Sequence, residues 1–205
     1  MRHLTTHTAH PASPQRGRPA AWEQQAGVTL VELLTVIVIV AVLMSIGVPS
    51  FRYVTTANRV ATESVALLGD LQYARSEAIR EGQQVTVCVS KDGANCDTAG
   101  NPPTWQEGWI TFSNPNSKTG VDANDPLLRN SKGFSSNGDT FQSSNTTSAI
   151  NFSGEGFANI GAASMAIKLH DATVNTLYTR CLVITQAGMM SVQTPTSDPT
   201  DCPSP

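Results

Sequence analysis

The stretch QQAGVTLVELLTVIVIVAVLMSIGVPSF, Gln24 to Phe51, decides how this chain is read. It is apolar enough for a membrane, yet it holds one carboxylate, Glu32, five residues past Gly27. Val28 to Val48 is 21 residues. At about 1.5 Å rise per residue, a helix of that length spans roughly 31 Å. The hydrocarbon core of a bilayer is about 30 Å thick. Valine, isoleucine and leucine dominate the run, so a single membrane-spanning helix is expected. Basic residues precede it, which places the N-terminus in the cytoplasm.

Two other readings fit the apolar run alone. One is a cleaved secretory signal, because Ser45-Ile46-Gly47 has small residues at the spacing a signal peptidase prefers. The other is an ordinary signal anchor. Neither accounts for Glu32. A carboxylate in a membrane costs a few kcal/mol unless it lies near the interface or finds a partner. A free amine on a neighbouring chain would be such a partner. Cleavage after Gly27 would create one at Val28.

The 205 residues carry a formal charge of -3, which suits one modest domain with appendages. Residues 1–27 differ from the rest: Arg2, Arg16 and Arg18 face a single acid, Glu23, and no hydrophobic period is present. This reads as a polar, basic leader removed from the mature chain. A retained cytoplasmic tail and a misplaced start codon are the alternatives. Without the leader, 10 basic and 15 acidic residues remain, a charge near -5. That balance argues against a general nucleic-acid binder.

All four cysteines, Cys88, Cys96, Cys181 and Cys202, follow the apolar run. They lack the paired spacing of a zinc site. On the oxidising side of a membrane they are expected as two disulfides. Three pairings are possible, and Cys88–Cys96 with Cys181–Cys202 is preferred. The first would staple CVSKDGANC, where Asp92-Gly93 turns the chain back. The second would tie the proline-rich tail to a strand. Free thiols are the other reading.

From Ser50 to Gly82 apolar residues recur at 54, 57, 61, 65, 68, 71, 74 and 78. Gaps of three and four mark one face of a helix, expected to pack on a sheet, with Arg52, Arg59, Glu63, Asp70, Arg75 and Glu77 mostly elsewhere. Gly82 is a fitting stop, and Pro49 would break or loosen the helix at the membrane surface. After Gly82 the period becomes two, as in QQVTVCVS. Further strands are expected in GWITFS, SAINFSG, SMAIKLHD, TLYTRCLVIT and MMSVQT. A polar loop over residues 114–148 interrupts them, with room for a short strand near Leu127-Leu128. The expected class is α+β: a long N-terminal helix, membrane-spanning in its first half, packed on a mostly antiparallel β-sheet head. The segments are 1–27 leader, 28–48 transmembrane helix, 49–82 amphipathic stalk and 83–205 β-rich head.

AGVTLVELL resembles the class III signal of type IV pilins and type II secretion pseudopilins. The resemblance implies cleavage by prepilin peptidase between Gly27 and Val28, and N-methylation of Val28. It further implies that Glu32 pairs with a neighbour's N-terminal amine and that the helix loosens near Pro49 when subunits pack. The order LLGDLQYARSEAIREGQQVTVC, CVSKDGANC, WQEGWITF, INFSGEGF and RCLVITQAG resembles the GspH and FimT/FimU group of minor pilins and pseudopilins. These fold pilin-like. The resemblance implies a non-enzymatic subunit that initiates or caps a type IV pilus or a type II secretion pseudopilus. It implies other minor and major pilins or pseudopilins as partners. It also implies a bacterial inner-membrane location, with a periplasmic head at a filament tip. No cofactor is expected.

Other chemistries fit these residues less well. Some FimT-like members capture DNA through a basic Gly-Arg motif after the last strand. Here Met189 and Met190 stand beside Gly188 where the arginines would be, and methionine cannot hold a phosphate. His170-Asp171 lacks a nucleophile motif. DANDP, Asp122 to Pro126, lacks the glycine and distal glutamate of a calcium loop. Trp105 and Trp109 suit a core better than a contact surface.

Overall fold

The computed structural model describes residues 27–97, 105–116, 121, 125–134, 138–196, 198 and 202, excluding the Pro49 side chain. The leader reading and most of DANDP lie outside these residues. The chain divides into two compact units between Ser45 and Ile46.

One helix, α1, runs Leu30–Glu81. Thr29 caps its start: its hydroxyl accepts the Glu32 N–H at 3.2 Å and its carbonyl accepts the Leu33 N–H at 3.1 Å. Gly82 ends it at φ 65°. The Gln83 N–H then donates to the Ala78 carbonyl at 3.2 Å, which satisfies an orphan acceptor of the last turn. The helix is one element across the expected 48/49 division, and its path includes Pro49. A proline removes one backbone bond, and the turns on either side remain helical.

The second unit holds two antiparallel sheets. The first has the order β3-β2-β1-β5-β6, with β1 Val85–Val89, β2 Gly108–Ser113, β3 Leu127–Lys132, β5 Ala149–Phe152 and β6 Ala158–Asn159. The second has the order β4-β7-β8-β9, with β4 Thr140–Ser143, β7 Ser164–His170, β8 Arg180–Thr185 and β9 Met190–Gln193. Strand β1 sits centrally, pairing Cys88 with Ile110 on one side and Val87 with Ile150 on the other. In the second sheet Ile167 pairs with Leu182.

One core joins α1 to both sheets. Leu67, Leu71, Ala74 and Ala78 of α1 pack with Val85, Val87, Trp109, Phe152, Ile167 and Leu182. The opposite face of each sheet carries a small cluster of its own. Cys88, Ile110 and Phe112 lie beneath Cys96 on the first sheet. Ala166, Cys181 and Val183 lie beneath Cys202 on the second. Strand β1 is therefore buried on both faces.

Three expectations need correction. The buried face of α1 is Val60, Glu63, Ser64, Leu67, Asp70, Leu71, Ala74 and Ala78, while Val54 and Val65 are exposed. The expected face holds only over its last three positions. It fails earlier because two carboxylates turn inward: Asp70 is met by Trp109, Arg129 and Ser131, and Glu63 lies against the Arg59–Asp139 pair. The polar stretch 114–148 holds, besides the short strand expected near Leu127-Leu128, which is β3, a second strand, β4. Phe141 is the single buried residue of β4, which leaves little apolar signal there. Finally, TLYTRCLVIT is extended only from Arg180. Asn175 takes the N–H groups of Leu177, Tyr178 and Thr179, turning the preceding residues into a loop.

Candidate assembly site

The segment around Glu32 is built by the helix start. Gly27 to Thr29 have no regular structure, and a side chain at Gly27 would meet nothing within 4 Å. Glu32 occupies the first turn of α1, where a carboxylate faces the positive end of the helix dipole. Its N–H is spent on the Thr29 hydroxyl. Among the described residues no hydrogen bond or ion pair reaches the carboxylate itself. The side chains of residues 28–48 are exposed throughout. The helix is long and apolar enough to cross a membrane by length and composition. Pro49 lies just past this run, and its backbone is helical.

The head is closed by two disulfides, Cys88–Cys96 and Cys181–Cys202. The first loop is turned by Asp92, whose carboxylate accepts the Ala94 and Asn95 N–H groups, each at 2.8 Å. Gly93 follows at φ 72°. The Asn95 side chain, then the two backbone donors, hold the Asp92 carboxyl below the usual carboxylate range.

Two polar clusters tie α1 to the head, and hydrophobic periodicity gave no sign of either. Asp70 is buried and accepts from the Trp109 indole at 2.8 Å, from Arg129 at 2.7 Å and from the Ser131 hydroxyl. The Arg129 guanidinium also lies 3.8 Å from the centre of the Tyr73 ring. In the second cluster Arg59 grips Asp139 with two bonds, at 2.6 and 2.7 Å. Glu63 sits one turn on, with Oε2 buried and accepting no hydrogen bond. Burial, then the negative charge of Asp139, pushes the Glu63 carboxyl up to about 7. Each partner lies dozens of residues away in sequence, so local spacing could not find it.

The remaining candidates dissolve into structure. Trp105 and Trp109 are both core residues. The His170 ring lies 2.9 Å from the Asp171 carbonyl, and the buried Asp171 carboxylate takes the Thr173 hydroxyl. No cluster able to hold a metal is found among the described residues. Met189 is exposed beside Gly188. A cation does stand near, since a side chain at Gly188 would fall 2.7 Å from Arg75 Nε. That guanidinium is engaged by the Gly156 and Ala187 carbonyls, at 2.9 and 3.3 Å.

Two families match this chain. Residues 23–48 match the prokaryotic N-terminal methylation motif, and residues 63–188 match the family described as Type II transport protein GspH. The chain belongs to the GspH family. The methylation motif coincides with the Gly27–Glu32 segment and its apolar helix, which is consistent with inner-membrane anchoring of a GspH-type chain. Among solved structures the type IV minor pilin FimU of Pseudomonas aeruginosa PAO1 shares the fold. It matches at 22% identity over 66% of this chain and 89% of that one, with a TM-score of 0.52. A second crystal form of FimU gives 23% identity, 66% and 91% coverage and a TM-score of 0.48. No curated protein sequence matches the chain.

Proposed function

We propose that this GspH-type chain is a non-enzymatic minor pilin or minor pseudopilin that initiates or caps assembly of a type IV pilus or type II secretion pseudopilus. Prepilin peptidase cuts between Gly27 and Val28, and the new amine of Val28 is methylated. The subunit then waits in the inner membrane as a single-pass protein, N-terminus in the cytoplasm and head in the periplasm. Two disulfides in the head suit that oxidising side.

The observation that carries the reading is the unengaged Glu32 carboxylate at the head of an exposed apolar helix. In a hydrocarbon setting such a group is costly alone and favourable beside a cation. The amine of a neighbouring subunit supplies the cation, and exchange of lipid for neighbouring helices covers the valines and isoleucines. Pro49 supplies a weak point in the backbone ladder where the helix adjusts to packing. The partners are accordingly other minor and major subunits. Met189 and Met190, with Arg75 engaged by carbonyls, leave the turn at Gly188 without the free cationic donors that a nucleic-acid phosphate would need there.

The test is substitution of Glu32 by alanine. The variant inserts in the membrane as the parent does and is lost from sheared filaments or from cross-linked complexes of minor subunits. Normal incorporation of Glu32→Ala contradicts the role.

A further inference from the structure

The loop between β7 and β8, residues 171–179, is ordered by its own backbone yet turns apolar side chains outward. The Val174 N–H donates to the Asp171 carbonyl at 3.1 Å, and the Asn175 carbonyl accepts from Tyr178 and Thr179 at 3.0 Å each. Val174 and Leu177 are exposed, at 40% and 58%. Val174 also has φ 51°, a left-handed conformation that a β-branched residue adopts only under strain. Asparagine or glycine would relieve that strain. A valine there keeps apolar surface at the loop tip.

The loop is anchored to a particular level of α1. The Tyr178 ring packs on the Tyr53 ring with centroids 5.3 Å apart. Tyr53 lies five residues past Val48, the last residue of the apolar run, which is about 7.5 Å along a helix. The polar layer on each side of a bilayer core is roughly 5–7.5 Å deep, which puts Tyr53 at its outer edge. Tyrosine is favoured at that depth. Phe51 and Val54 on the same turns are exposed as well.

Charge points the same way. Between Ile46 and Thr62, α1 carries Arg52 and Arg59 and no acid. Arg59 is paired with Asp139. The one acid of the loop, Asp171, is buried and takes the Thr173 hydroxyl. Arg180 at the loop's end donates to the Leu177 and Thr179 carbonyls, at 3.1 and 2.8 Å, and remains partly exposed. These two segments thus present the cations Arg52 and Arg180 beside Tyr53 and Tyr178.

We propose that the Val174–Tyr178 loop is a second membrane contact, resting on the headgroup layer of an anionic phospholipid bilayer. Leu177 and Val174 enter the interface, the two tyrosines lie at headgroup depth, and Arg52 and Arg180 face lipid phosphates. The proposal rests on the reading of residues 28–48 as a membrane span. It goes beyond that reading by giving the head its own lipid-binding surface, one that must be released before the subunit leaves the membrane.

The test uses the full chain in phosphatidylethanolamine–phosphatidylglycerol vesicles containing spin-labelled quencher lipids. A fluorophore is placed singly at Leu177→Cys, at Val40→Cys within the apolar run, or at Met189→Cys. Met189 lies beside Gln72 and Arg75, about 30 Å further along α1 than Tyr53. The expected result is strong quenching at 40, at least half as much at 177, and none at 189. In a fourth chain, Val174→Asn with the probe at 177, quenching falls at least twofold while the melting temperature rises. Quenching at 40 without quenching at 177 overturns the loop contact and leaves the membrane span standing. No quenching at 40 overturns the span itself. A signal at 177 that follows protein density instead of quencher lipid assigns the surface to another subunit and overturns the proposal. Equal quenching at 189 also overturns it.

Discussion

The indole N–H of Trp109 donates to Asp70 Oδ2 at 2.8 Å, fastening the middle of α1 to strand β2. Both residues are buried, and Arg129 and Ser131 complete the shell of the carboxylate. Removing Asp70 leaves a buried indole donor unpaired and frees Arg129 from its anion. Asp70→Ala is therefore expected to cost about 2 to 4 kcal/mol. Arg80→Ala, which removes only exposed ion pairs, is expected to leave stability nearly unchanged. Urea unfolding of the two variants in detergent checks the contrast. Equal effects would show that the Asp70 cluster contributes nothing special.

Glu63 sets a pH dependence. Its carboxyl is pushed up to about 7 in the fold, against an ordinary value near 4.3 in an unfolded chain. The folded state then holds the proton more tightly. Stability from this group is complete below about pH 4 and declines as pH rises through 7. Asp139 and Arg59 are the charged neighbours that tune it. Glu63→Gln keeps a neutral group and is expected to gain about 1 to 3 kcal/mol over the parent at pH 8, with little difference at pH 4. Thermal unfolding across that range reads the difference. A constant offset at every pH would place the effect in packing instead of titration.

The Cys181–Cys202 bridge closes a loop with a sequence separation of 21 and holds Cys202 over the outer face of the second sheet. Replacing both cysteines by serine is expected to cost about 3 kcal/mol by the chain-entropy account. The uncovered cluster is Ala166 and Val183, so the tail should become a protease target while the core keeps its circular dichroism. Retained protease resistance would mean that the tail is held by other contacts.

The strands were legible where burial is one-sided or complete. GWITFS coincides with β2, and QQVTVCVS contains β1 with Val85, Val87 and Val89 facing the core. The N-terminal segment was legible because its chemistry is local: a glycine, a cap, one acid and an apolar run within a few turns. The stalk face was misread over its first half. Val65 looked like a core residue and is exposed, whereas Glu63 and Asp70 looked like surface and are buried. Their partners, Asp139, Trp109, Arg129 and Ser131, come from strands and loops that only the tertiary fold brings near. Strand β6 has two residues and β4 one buried side chain, too little to register as a period. The division into two sheets was also hidden, because alternation reports which residues face inward and says nothing about which strands pair.

The central claim is that this chain is matured as a pilin-type subunit at Gly27–Val28. Intact mass with N-terminal sequencing of membrane-extracted protein, from cells with and without prepilin peptidase, addresses it most directly. A chain beginning at methylated Val28, found only when the peptidase is present, is the predicted result. A chain beginning at Met1 in both, or at Val48 after signal-peptidase cleavage, would contradict it and would remove the assembly role of Glu32.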